Sequence, residues 1–158
     1  MSDTEIVNEL ESLLRELDLA ESYGIRSALP NSAHSRVIDA FRDYWFGRQP
    51  YIERYSQQYI DFIGKDGQAE GHIIVAMEVD AKWHGGQKNC VKLANIRARN
   101  KIWIHISNSE DAKENFQKAL KKIHQLIQMR GETKELFGNF EAFLKTPRPE
   151  DFERVKIL

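Results

Sequence analysis

A single cysteine, Cys90, among 158 residues excludes an internal disulfide framework and any zinc site built on several thiolates. It suits a reducing compartment, so the cytoplasm is the expected location. No apolar run approaches the ~20 residues of a membrane span, and the acidic, amphipathic "MSDTEIVNELESLL" has neither the basic nor the continuous apolar region of a secretory leader, so a soluble chain without a membrane partner is expected. Neither sign of charge prevails. With 23 basic and 24 acidic residues the formal net charge is −1, which excludes a global field of the kind that draws a whole protein onto nucleic acid or lipid. Internal repeats and low-complexity linkers are also absent.

What is present is the material of one ordinary domain. At 41% hydrophobic residues the chain can bury a core, and a single unit over 1–158 is expected. Ile6, Leu10, Leu13, Leu14 and Leu17 recur at helical spacing and predict an amphipathic helix over 3–20, stopping before Gly24. After a turn at "ALPNSAHS", Val37, Ile38, Phe41 and Trp45 predict a second helix closed by Gly47, with Pro50 ending the connection. The period then changes. "YIERYSQQYIDFIG" reads as one or two strands, "KDGQAEG" as a hairpin turn and "HIIVAMEVD" as the return strand. "HGGQKN" reads as a break, "CVKLANIRARN" as a short helix with Leu93 and Ile96 inward, and "KIWIHIS" as a strand. The longest helix follows in "SEDAKENFQKALKKIHQLIQMRG", with acids in its first turn. Leu136, Phe137, Phe140, Phe143 and Leu144 predict a final helix at about 133–145. The sum is a three-layer α/β or α+β plan around a mixed sheet.

The chemistry concentrates where "HIIVAMEVD" ends. Alternation along a strand puts Ile74, Ala76, Glu78, Asp80 and Lys82 on one face and Ile73, Val75, Met77 and Val79 on the other. Asp61, on the preceding strand, approaches Glu78 if the two strands pair. Converging carboxylates are costly without a compensating cation, and hard oxygen ligands favour Mg²⁺ or Mn²⁺. From Ala81 to Ser109 there is no acid at all, while Lys82, Lys88, Lys92, Arg97, Arg99 and Lys101 are present. Cations beside carboxylates are what a metal-dependent phosphodiesterase requires. "HGGQKN" would allow close approach of backbone to a phosphate, with Gln87 near the scissile region.

Asp61 in one strand, "EVDAK" at the end of the next, then a basic helix and another strand resemble the PD-(D/E)XK, restriction-endonuclease-like nuclease superfamily. "MEVDAKWH" is also similar to the variant found in very-short-patch-repair-like endonucleases. The resemblance implies an αβββαβ core over about 34–129 and hydrolysis of nucleic acid, DNA in first place, with Mg²⁺ or Mn²⁺. It makes Asp61, Glu78 and Asp80 candidate metal ligands, alone or in combination. Lys82 completes the motif if Asp80 is the second acid, and Lys92 can be delivered from the next helix. His84 stands as a base or water-positioning group, and Lys88, Lys92, Arg97, Arg99 and Gln87 as nucleic-acid contacts. Members are often dimeric, and the leucine face of the first helix or the aromatic last helix would supply the interface. The alternatives are a catalytically inactive module of the same fold that binds nucleic acid or a protein, and a small interaction protein whose acids are structural. His34, His72, His105 and His124 lack metal-ligand spacing, Trp83 and Trp103 read as core, and Cys90 as packing.

Overall fold

The computed structural model describes residues 2–48, 60–65 and 72–158. The predicted hairpin turn and most of "YIERYSQQYIDFIG" fall on 66–71 and 51–59, outside the described residues. Helix α1 spans Asp3–Glu16 and begins in a capping box: Ser2 Oγ accepts from the Glu5 N–H at 3.2 Å and Glu5 Oε2 from the Ser2 N–H at 2.7 Å. The helix ends short of residue 20. Leu17 turns extended and the Asp18 carboxylate accepts from the Ala20 N–H, a local bond that competes with another helical turn. Helix α2, Ala33–Arg48, continues through Gly47 instead of closing there.

Strand β1, Phe62–Lys65, pairs antiparallel with β2, Ile73–Asp80, which pairs parallel with β3, Ala98–Ile106. Helix α3, Gly85–Ala94, joins β2 to β3. It begins five residues before the expected helix and takes up most of "HGGQKN", the predicted break. Its two leading glycines are the reason. A Cβ on Gly85 would sit 2.6 Å from Asp80 Oδ1 and one on Gly86 2.7 Å from the Trp103 ring, so only glycine lets this helix lie so close to the strand ends.

Helix α4, Ala112–Arg130, is capped by Gly131 at φ 66°, the left-handed position that glycine fills without strain. A short α5, Lys134–Phe137, leads into β4, Asn139–Lys145, and a 3-10 turn at Pro149–Asp151 into β5, Glu153–Lys156. The final helix expected at 133–145 is therefore mostly a strand. Phe140, Ala142 and Leu144 face one core and Phe143 the other, and an apolar run buried on both faces carries no strand period to read.

The result is an α+β fold with a five-stranded mixed sheet in the order β1-β2-β3-β4-β5, antiparallel at both edges, and five helices among the described residues. On one face α1 and α2 bury Leu10, Leu14, Val37, Phe41 and Trp45 against Phe62, Met77, Ile102 and Ile104. On the other, α3 and α4 bury Cys90, Leu93, Phe116 and Ile123 against Trp103, Phe140 and Leu144. Both surfaces expected to serve a dimer are thus inside the protomer: the leucine face of α1 and the aromatics of β4. No helix among the described residues is long and apolar enough to cross a membrane.

The contact between α3 and Trp103 gives a first test. Gly86→Ala should destabilise the protein by about 1–3 kcal/mol through overpacking, read as a lower midpoint in urea or heat; an unchanged midpoint would mean that the helix rides higher on the sheet.

Candidate functional site

The site lies where β2 ends. Phe62 faces Met77 and Ile63 faces Ala76 across the antiparallel pair, so Asp61, one step before Phe62, meets the strand at Glu78. Asp61 Oδ2 accepts the Val79 N–H at 2.8 Å and lies 3.3 Å from His34 Nε2 at the start of α2. From Val75 onward the pleat alternates as expected, with Ala76, Glu78 and Asp80 turned toward α3. Ile74, expected on the acidic face, packs instead with the α1 and α2 core, beyond the irregularity in the β1–β2 register between Gly64 and Lys65.

Glu78 is 2% exposed, and its Oε1 lies 3.1 Å from Lys92 Nζ on the third turn of α3. The two are close enough for an ion pair, yet no hydrogen-bond donor is aligned on this oxygen among the described residues. Burial pushes the Glu78 carboxyl well above its ordinary range, the Asp61 charge adds to this, and Lys92 opposes both. Burial also works against Asp61, but bonds from His34, Glu78 and the Val79 N–H outweigh it and hold this carboxyl low. The two shifts run in opposite directions, so ionisation is favoured on Asp61 and disfavoured on Glu78.

Asp80 lines the same cleft as the pair, but its carboxylate is engaged within the fold. Its Oδ2 accepts from Trp103 Nε1 at 2.7 Å and from Asn89 Nδ2 at 2.5 Å; burial still raises it. With both donors on one oxygen, Asp80 pins α3 to β3. Its backbone carbonyl accepts from His105 Nδ1 at 3.0 Å. A carbonyl only accepts, so Nδ1 carries the proton, and burial keeps the ring neutral. Among the described residues no group of three or more His, Cys, Asp and Glu side chains is arranged to hold a metal ion; the acids meet as a pair, Asp61 with Glu78.

Around this pair is an open cleft of about 480 Å³. Lys82 and His84 stand exposed at its rim, His84 edge-on to Trp83, and Lys88 and Asn89 line it from α3. Gln87 is exposed outside it. The acid-free stretch is split by the fold. Arg97 and Arg99 stand at the start of β3, seven residues along the ladder from Asp80, which is roughly 23 Å, and Arg99 is paired with Asp3 at 2.8 Å. Lys101 is buried with its ammonium 3.8 Å from the centre of the Phe137 ring. Only Lys82, Lys88 and Lys92 of the six cations face the acids. His34 and Asn89 went unread in the sequence. A lone histidine at a helix start carries no signal, but a helix begun at Gly85 places Lys88, Asn89 and Lys92 on one face, three and four residues apart.

Compared with known proteins, the chain matches no family model, and no curated protein or solved structure gives a significant match. What the cleft can do is therefore read from its own chemistry.

Glu78 gives a pH test. Its folded-state value lies above its ordinary 4.5, so over that interval the folded chain holds a proton that the unfolded chain releases, and stability falls as pH rises. Glu78→Gln removes this dependence. In EDTA, its thermal midpoint should exceed the parent's by more at pH 8.5 than at pH 5; equal gains at both would show Glu78 to be ionised in the fold.

Proposed function

We propose that the protein is a metal-dependent nuclease of restriction-endonuclease-like architecture, hydrolysing phosphodiester bonds of nucleic acid, DNA in first place. The observation that carries this reading is the meeting of Asp61, Glu78 and Lys92 in one open cleft, an acid from each of two antiparallel strands and a lysine from the helix that follows. The succession α2, β1, β2, α3, β3 has one strand fewer among the described residues than the expected αβββαβ core but keeps its order, and "EVDAK" resembles the motif of that superfamily.

The carboxylate pair fits a divalent cation. Two adjoining buried carboxylates, with burial and the Asp61 charge disfavouring ionisation of Glu78 and Lys92 at 3.1 Å, are a site that a hard cation would relieve. Asp61 and Glu78 would hold Mg²⁺ or Mn²⁺, which when bound supplies Lewis-acid polarisation of the phosphoryl oxygen and acidification of a water. His34 and the Val79 N–H both meet Asp61 Oδ2 and orient the carboxylate. Lys92 neutralises Glu78 and stands where it can hold the attacking water by a charge-assisted hydrogen bond. Lys82 and Lys88 at the rim meet the phosphate backbone as mobile charges. Asp80 keeps α3 in place, and through α3 it positions Lys92. Of the two candidate lysines, the inward Lys92 is thus preferred over the exposed Lys82.

A second reading, a catalytically silent module that binds nucleic acid, is favoured by one observation. Asp80 and Lys82 both line the cleft, but the Asp80 carboxylate accepts from Trp103 and Asn89, so the acid of an acid-x-lysine pair is already engaged within the fold.

Labelled single-stranded, duplex and branched DNA, with RNA in parallel, should be cut in Mn²⁺ or Mg²⁺ and not in EDTA. Asp61→Asn and Glu78→Gln should abolish cutting. Lys92→Met should lower the rate about 100-fold or more, the usual cost of one preorganised donor, and Lys82→Met by much less. Binding without cutting, equal in all of these proteins, would establish the silent module instead.

A further inference from the structure

The strands β2, β3 and β4 run parallel, so their carboxyl ends share one edge of the sheet. The register Asp80, His105, Leu144 runs straight across them. Crevices outside the carboxyl ends of parallel strands are where such sheets take ligands. Here three depressions follow that edge. The cleft of the acids shares Ser27, His34 and Ala81 with a small depression of about 70 Å³ beyond the end of β3. That depression in turn shares Tyr23 with a cleft of about 250 Å³ at the end of β4.

The last cleft holds donors whose capacity its own residues do not use. Lys145, the final residue of β4, is 8% exposed, and its ammonium donates to the Arg15 carbonyl at 3.2 Å; no carboxylate lies within ion-pairing distance among the described residues. An ammonium has three hydrogens to place, and a buried one bonded to a carbonyl alone is costly. The Tyr23 hydroxyl is buried at the same cleft without a hydrogen-bond partner among the described residues. Arg148 closes the wall, its guanidinium held by Asp151 at Nε, 2.6 Å, and by the Ser109 carbonyl at Nη2, 2.9 Å. Two acids, Glu16 and Asp18, also line this cleft; Asp18 Oδ1 accepts from the Ala20 N–H, and the Asp18 charge is felt at Lys145 and Tyr23 without a direct bond to either. Two underused donors and a fixed guanidinium are complementary to an oxyanion with several acceptors.

We propose that Tyr23, Lys145 and Arg148 form a second phosphate site of the same groove, holding a backbone phosphate of the nucleic-acid strand whose scissile bond lies at Asp61 and Glu78. This rests on the nuclease reading. The two sites are two strand spacings apart, roughly 10 Å, a span that neighbouring phosphates of one strand can bridge. A strand laid across the carboxyl edge thus meets the carboxylates at β2 and the cations at β4, and the site measures the distance from cut to anchor.

The test is fluorescence anisotropy of a labelled twelve-nucleotide oligo(dT) with the full chain in EDTA, over a range of salt. Arg148→Gln should weaken binding about tenfold at low salt and flatten the log–log salt dependence by about 0.7, one single-strand phosphate contact. Tyr23→Phe, whose lost hydroxyl bonds nothing among the described residues, should weaken binding two- to fivefold with the slope unchanged. Arg97→Gln, on the opposite edge of the sheet, should match the parent. Parental affinity and slope in both Tyr23→Phe and Arg148→Gln would overturn this site, while cleavage dependent on Asp61 and Glu78 would still stand. Binding that depends on Tyr23 and Arg148 in a protein that cuts nothing would support the site and sink the catalytic reading. Failure of the parent to bind any oligonucleotide would overturn both.

Discussion

Two carboxylates facing each other at a buried strand end cannot both be ionised without a cation between or beside them. Asp61 and Glu78 are such a pair, and much of the surrounding structure reads as an answer to that constraint. The Val79 N–H and His34 favour the charge on Asp61, and Lys92 is brought in from α3 to 3.1 Å from Glu78, where it opposes the effect of burial. A hydrophobic pair at these positions would satisfy the fold with fewer partners. A site that costs this much to hold together, open to solvent on one side, is the kind of departure from core packing that function leaves behind.

Lys92 reaches Glu78 only because α3 lies close to the sheet, and that closeness depends on Gly85 and Gly86. Asp80 contributes from the other side by accepting from both Asn89 on α3 and Trp103 on β3. Packing and electrostatics are therefore coupled through one short helix: a side chain at Gly86 pushes against Trp103, and the same displacement carries Lys92 away from the acids. The acid that completes the motif in sequence acts here as the fastening, and the lysine three residues after Asn89 supplies the charge.

How far the sequence discloses this depends on what each segment buries. Helices with one wet face, such as α1 and α4, announce themselves by period, and the pairing of Asp61 with Glu78 follows from strand alternation and one hairpin. β4 does not, because Phe140 and Leu144 bury on one side and Phe143 on the other. α3 is obscured by the glycines that its packing demands, which read locally as a breaker. The division of the basic run is a matter of topology: Lys92 and Arg97 are five residues apart, yet the chain turns between them, so one joins the carboxyl edge and the other the amino edge. His34 is the extreme case, since its place beside Asp61 depends on how α2 crosses the sheet.

The two edges of the sheet differ in how their charges are met. At the amino edge Arg99 is paired with Asp3, and Asn100 bonds both Asp3 and the Ile74 carbonyl, so these groups are consumed in fastening α1 to β3. At the carboxyl edge the opposite holds: burial and the Asp61 charge disfavour ionisation of Glu78, the Tyr23 hydroxyl has no partner among the described residues, and Lys145 has a carbonyl where a carboxylate would be expected. Buried polar groups are ordinarily satisfied within the protein or by water. Two acids beside Lys92 at β2 and two donors that face no paired anion among the described residues at β4 are complementary. A polyanion that arrives with divalent cations is one ligand able to meet both at once.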